Sequence, residues 1–163
     1  MQLSNQVSTK NVHQILILTI SYCQEYSICV RHERGFCGIS YTACEDTDSF
    51  SISSPVSGPG VAMVGDTTCT TDWLSIPCAT TSTAGNSQQT SGSEPDTCIE
   101  RLCGDVFCSV TNNPTNKSAP GHCTIYSFVR PFTIRVHLDA DETDDGRNNR
   151  GFCFRYVQQP CIS

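Results

Sequence analysis

Apolar residues recur at every second position in several short stretches of this chain. The clearest runs from Phe132 to Leu138, where Phe132, Ile134, Val136 and Leu138 fall on one side and Thr133, Arg135 and His137 on the other. That spacing is the signature of a β-strand with one buried face. Phe152, Phe154 and Tyr156 alternate in the same way, as do Ile39, Tyr41 and Ala43. Residues 27–30, 50–52, 73–76 and 124–129 are shorter candidates. Clusters of Ser, Thr, Gly, Pro and Asn separate these runs and supply turn chemistry. A helical spacing shows only weakly, over residues 12–20. Many short strands in one chain predict an all-β fold, an antiparallel β-sandwich. Residues 53–65 and 79–95 hold too few apolar side chains to pack and read as long surface loops. The acidic residues 139–145, followed by Gly146 and Arg147, join two of the best strands and read as an exposed hairpin loop.

Composition narrows this picture. A chain of 163 residues is the size of one domain and can bury a core of its own. Its 12 cysteines spread from Cys23 to Cys161 without repeated CxxC pairs. Structural zinc sites need paired ligands at short spacing, so the spread indicates a disulfide framework formed in an oxidising compartment. Cys98, Cys103 and Cys108 follow one another at short intervals, but no histidine is near in sequence, His122 being the nearest; disulfides are the favoured reading for them too. A formal net charge of −6 argues against nucleic acid, which needs a basic face to release counterions. The apolar run from Ile15 to Ile20 is too short to span a membrane. It also lacks the small-residue cleavage site of a signal peptide. The cysteines therefore place the chain outside the cell, while its N-terminal residues carry no recognisable export signal.

Ordered motifs then become visible. Cys69-Thr70-Thr71-Asp72-Trp73-Leu74-Ser75-Ile76 resembles the C-x-x-D-aromatic-L-x-I pattern of the CUB domain. Arg101-Leu102-Cys103-Gly104 is similar to the R-x-C-G that follows it in that family. Residues 132–139 resemble the family's apolar strand ending in Asp, and residues 151–156 its closing G-F-x-x-x-Y strand. Upstream, residues 26–31 and 35–39 are similar to the early strand pair. The match runs over residues 25–161, and the domain is accordingly taken as residues 25–163. The extra cysteines and the stretch from Gly35 to Cys44 most resemble cysteine-rich CUB-like secreted proteins of arthropods. The resemblance implies a jelly-roll sandwich and a disulfide between Cys69 and Cys103. That bond would be worth roughly 3–4 kcal/mol by the chain-entropy argument; the remaining pairings stay open.

The same resemblance implies a first strand ahead of Tyr26, to which only residues 1–6 would contribute. Residues 7–24 fit no strand of the family pattern. Leu3–Gln6 would run naturally into Glu25. Codons for Val7 begin with GT and one codon for Gln24 is CAG, the ends of an intron. Residues 1–24 are therefore expected to be a partial first strand followed by a translated intron, with a genuine insertion as the alternative. On that reading Cys23 has no intended partner, and the export signal was lost upstream.

Many CUB domains hold Ca²⁺ through carboxylates at one end of the sandwich, and the ion takes six to eight oxygens. Asp72 and Asp139 stand at two of the family's ligand positions. At the third, eight residues before Asp72, this chain has Val64 in place of Glu, with Asp66 the nearest acid. The implied calcium set is Asp66, Asp72 and Asp139, with Asp141 or Glu142 as further donors. Asn116-Lys117-Ser118 is a glycosylation acceptor in a polar, turn-rich stretch. His32 and His137 sit on candidate strands, His137 on the exposed polar face. No nucleophile elbow, zinc-protease helix or phosphate loop is present. The expected function is therefore non-catalytic recognition of an extracellular protein or glycan, with loops at one end of the sandwich as contact surface. The alternatives are a structural part of a secreted matrix, or a module detached from a secreted protease.

Overall fold

The computed structural model describes residues 13–17, 23–45, 49–53, 62–81, 99–108, 123–140 and 150–161. In chain order the strands are β1 (His13–Ile17), β2 (Gln24–Val30), β3 (Phe36–Ala43), β4 (Phe50–Ser51), β5 (Ala62–Val64), β6 (Trp73–Ala79), β7 (Ile99–Gly104), β8 (Thr124–Ser127), β9 (Phe132–Leu138) and β10 (Gly151–Pro160). They form two antiparallel five-stranded sheets. The first runs β1-β10-β3-β8, with β4 also paired to β10, and the second runs β2-β9-β6-β7-β5. Among the described residues there is no helix, and the all-β antiparallel sandwich expected from the alternation is what forms.

The alternating faces meet between the sheets. Ile134, Val136, Leu138, Leu74, Ile76 and Leu102 enter from the second sheet, and Ile39, Tyr41, Ile125 and Phe154 from the first. At the centre, Phe107 packs 4.3 Å from Phe154 and 5.4 Å from Phe50, centroid to centroid. Phe107 follows β7 outside any strand, which is why alternation did not single it out. Two corner bridges join the sheets. Ile52 and Gly104 exchange backbone hydrogen bonds, as do Thr80 and Tyr126. Gly104 makes its corner at a φ of 96°, a conformation that side chains strongly disfavour. Gly38 has a different reason to be glycine, because a Cβ there would lie 2.6 Å from the Phe128 ring.

Cystines fasten both sheets. Cys37–Cys161 and Cys44–Cys153 close the two ends of the β3–β10 pair. Cys69 is bonded to Cys103, the pair named from the resemblance, and Cys108 to Cys123. Cys78 is also in a disulfide, whereas Cys23 and Cys29 are free and exposed.

Three expectations give way to the structure. Residues 13–17, inside a run with only weak helical spacing, form β1 and pair along the edge of β10 from His13 opposite Tyr156 to Ile17 opposite Phe152. A short apolar run does not distinguish strand from helix, and the open edge of β10 supplies the deciding hydrogen bonds. Residues 53–65 are not loop throughout, because β5 pairs with β7 from Ala62 opposite Gly104 to Val64 opposite Leu102. Finally, β9 and β10 make no hairpin: they lie in different sheets, so the acidic connection between them crosses from one sheet to the other. Alternation shows that a strand has a buried face without showing which sheet supplies it. Residues 141–149, which take in most of that acidic stretch, lie outside the described residues, as do residues 82–98 and the acceptor Asn116.

Candidate functional site

The start of β6 and the end of β9 lie side by side, with Trp73 opposite His137 and Leu74 opposite Val136. Because Leu74 points into the core, Trp73 is turned to the outer face of the second sheet. His137 reaches that face by the same alternation. The two rings stack at 4.9 Å with an interplanar angle of 14°. His137 is therefore half-buried against Trp73, and not fully exposed as the polar-face position suggested.

A cation covers the same indole. The Arg101 guanidinium on β7 sits 4.5 Å from the Trp73 ring centroid. Its Nε lies 3.2 Å from Asp66 Oδ1, and its Nη1 donates to the Cys69 carbonyl at 3.4 Å. The outcome is a ledge of His137, Trp73, Arg101 and Asp66 laid across neighbouring strands. Arg135 stands on the same face, since Ser75 has Arg135 as its partner on one side and Arg101 on the other. Cation–π contact at an exposed site contributes on the order of 0.5–1 kcal/mol. Its larger consequence here is to hold three long side chains in one geometry.

Beneath the ledge, Asp72 ties the end of the sandwich together. It is buried, with only 2% of its surface exposed. Its Oδ1 accepts the Asp139 N–H at 2.9 Å, and its Oδ2 accepts the Ser53 hydroxyl at 3.0 Å. The Ser53 hydroxyl oxygen in turn accepts the Asp72 N–H at 3.3 Å and lies 2.8 Å from the Thr71 hydroxyl. One carboxylate thus connects the residue before β6, the residue after β9 and the chain beyond β4. Hydrogen bonds to a buried carboxylate are among the stronger kind. By fixing where β6 begins and β9 ends, they set the register that stacks Trp73 on His137.

Of the implied calcium set, the structure brings Asp72 and Asp139 together and places Asp66 elsewhere, in an ion pair with Arg101. Both described oxygens of Asp72 already accept protein donors. Among the described residues no three side chains of His, Cys, Asp or Glu converge as a metal site. Val64, at the family's third position, lies in β5. His32 is not on a strand but in the turn after β2, where its ring lies 5.6 Å from Phe132. The ledge went unseen in the sequence. Its one signal was an aromatic on the polar side of a strand, Trp73, directly after the buried Asp72.

A family model described as the animal CUB domain matches residues 6–159 of the chain. None of the curated proteins and none of the solved structures compared with it matches. Among the described residues no helix is long and apolar enough to cross a membrane. With nearly its whole length matched by that model, the chain belongs to the animal CUB domain family.

Proposed function

Because the chain is an animal CUB domain, in general an extracellular interaction module, we propose that it is a secreted, non-catalytic domain that recognises an extracellular protein. The contact surface is the outer face of the second sheet, with Trp73 as its anchor. The observation that carries this reading is the ledge itself. Trp and Arg are the residue types that most often carry binding energy at protein interfaces. Here they are held in place before any partner arrives, which lowers the entropy lost on binding. On this face Arg101 is paired with Asp66, Glu25 stands opposite His137 and Arg135 lies beside them, so the charges are mixed and a partner surface that also carries both signs suits it best. His137 and Arg101 already engage the Trp73 ring, which leaves less open face for a stacked sugar than for a protein contact.

The test uses the intact chain against a panel of purified extracellular proteins and a glycan array. Saturable binding to a protein, weakened about tenfold or more by Trp73→Ala while far-ultraviolet circular dichroism shows that the variant stays folded at the assay temperature, is the expected result. Binding confined to glycans, or binding that Trp73→Ala does not weaken, overturns the proposal.

A further inference from the structure

Cys23 and Cys29 are the free thiols among the described residues, and both are exposed: Cys29 lies on β2, the edge strand of the second sheet among the described strands, and Cys23 lies immediately before it at a φ of 55°. They cannot reach each other. The extended strand from Gln24 to Cys29 alone spans about 17 Å, whereas a disulfide needs Cα atoms roughly 4.4–6.8 Å apart. Cys23 is nonetheless built into the fold, since its N–H donates to the Asp139 carbonyl at 2.8 Å.

That bond fixes the phase of the strand. The register continues with Glu25 opposite His137, Ser27 opposite Arg135 and Cys29 opposite Thr133. Hydrogen-bonded and non-hydrogen-bonded pairs alternate along an antiparallel ladder. The odd-numbered residues of β2 therefore turn their backbone groups towards β9, and Gln24, Tyr26 and Ile28 turn theirs to the outer edge. A second β2 strand laid antiparallel on this edge with Tyr26 opposite Tyr26 would hydrogen-bond through those even-numbered residues. Cys23 of each copy would then stand opposite Cys29 of the other, in a non-hydrogen-bonded pair. Such pairs have Cα atoms about 4.5 Å apart, inside the disulfide range. Pairing centred on Cys23 or on Cys29 would join only one pair of thiols, whereas centring on Tyr26 joins all four. The same register sets Glu25 opposite Ser27, so no like charges meet across it. It also covers Tyr26 and Ile28, which are only half-buried in the single chain.

We infer that the outer edge of β2 is a homodimer interface, on which two copies pair about Tyr26 and close two intermolecular disulfides between Cys23 and Cys29. Each bond joins two thiols, releases two protons and passes two electrons to an oxidant. A glutathione-type disulfide takes the electrons by thiol–disulfide exchange and leaves as two thiols. The two second sheets become one continuous sheet, which puts two Trp73 ledges on a single assembly. A two-fold interface of this kind uses the same patch on both copies.

The experiment oxidises the full chain in a glutathione redox buffer and resolves it on a denaturing gel without reductant. The wild type is expected to run at twice the mass of the chain. Cleavage after Glu25 should release a peptide carrying Cys23 bonded to a peptide carrying Cys29. Cys23→Ser and Cys29→Ser, each alone, should stay monomeric on the gel, and an equimolar mixture of the two should regain a covalent dimer. Both positions are exposed, so melting curves of the variants should match the wild type. A monomeric wild type, thiols capped only by glutathione, links between like cysteines, or single variants that dimerise as well as their mixture would each overturn the inference.

Discussion

Strands β3 and β10 of the first sheet are tied at both ends, by Cys37–Cys161 and Cys44–Cys153. The β2–β9 pair of the second sheet is of similar length and equally regular in register, yet its two cysteines, Cys23 and Cys29, are thiols. The first pair carries Tyr41 and Phe154 into the aromatic centre, where a shift in register would misplace the largest buried rings. The second pair ends the sheet whose outer face bears the Trp73 ledge. Cross-links thus hold the core strands, Cys103 of the second sheet included, and the free thiols sit at that sheet's exposed edge. The comparison shows that a high cysteine count does not stiffen a domain evenly.

Removing one staple is the strongest way to break this contrast. Cys44→Ala together with Cys153→Ala should cost about 2–5 kcal/mol, the usual range for a native disulfide. Cys29→Ser should stay within about 0.5 kcal/mol, as exposed substitutions do. Denaturant unfolding of the two variants under identical conditions checks the difference.

Next in size is the tie between the sheets' ends and the ledge. Asp72→Ala leaves the Asp139 N–H and the Ser53 hydroxyl without the carboxylate, and should destabilise by about 1–3 kcal/mol. It should also loosen the stacking of Trp73 on His137, read as a loss of near-ultraviolet circular dichroism from the lone tryptophan.

A smaller effect, of opposite sign, is expected inside the stapled pair. The Tyr41 hydroxyl is buried and has no hydrogen-bond partner among the described residues. Burial, with a lesser contribution from Tyr156, raises its pKa well above the ordinary tyrosine value of 10.0. The folded state therefore keeps the proton where the unfolded state gives it up. The stabilisation from this difference is complete below pH 10 and declines as the pH rises beyond it. Tyr41→Phe should be neutral or stabilising by up to about 1 kcal/mol, and should flatten the alkaline loss of stability. Melting curves on both sides of pH 10 for the two proteins test this.

The smallest effect belongs to the rim of the ledge. Asp66 is mostly exposed, so Asp66→Asn should change stability by less than about 1 kcal/mol. Because Asp66 faces Arg101 and not Asp72, the variant should leave unchanged whatever heat a calorimetric titration with Ca²⁺, set against Mg²⁺, records for the wild type.

Much of the fold was legible because alternation is a direct imprint of a half-buried strand. The run from Phe132 to Leu138 is β9, and Ile39, Tyr41, Phe152 and Phe154 all reach the core from the strands expected of them. What stayed hidden depends on partners that pattern does not encode. Ile15, Leu16 and Ile17 form an unbroken apolar run, and only the edge of β10 makes them a strand. β5 is three residues long among turn-forming neighbours. β7 carries Glu100 and Arg101, which mask the inward turn of Leu102. The site was half visible. Asp72 stood out as a motif position, but its role as a buried acceptor needed Ser53 and Asp139 brought beside it. Trp73 gained meaning only when His137 and Arg101, far apart in sequence, met on its ring.

The account stands most directly on where a partner touches the molecule. Amide hydrogen exchange of the intact chain, alone and saturated with the protein partner found by the binding panel, locates that contact. Slowed exchange at Trp73–Ser75, around Arg101 and at Arg135–His137, with β3, β8 and β10 unchanged, is the predicted result. Slowing confined to the first sheet would contradict the account.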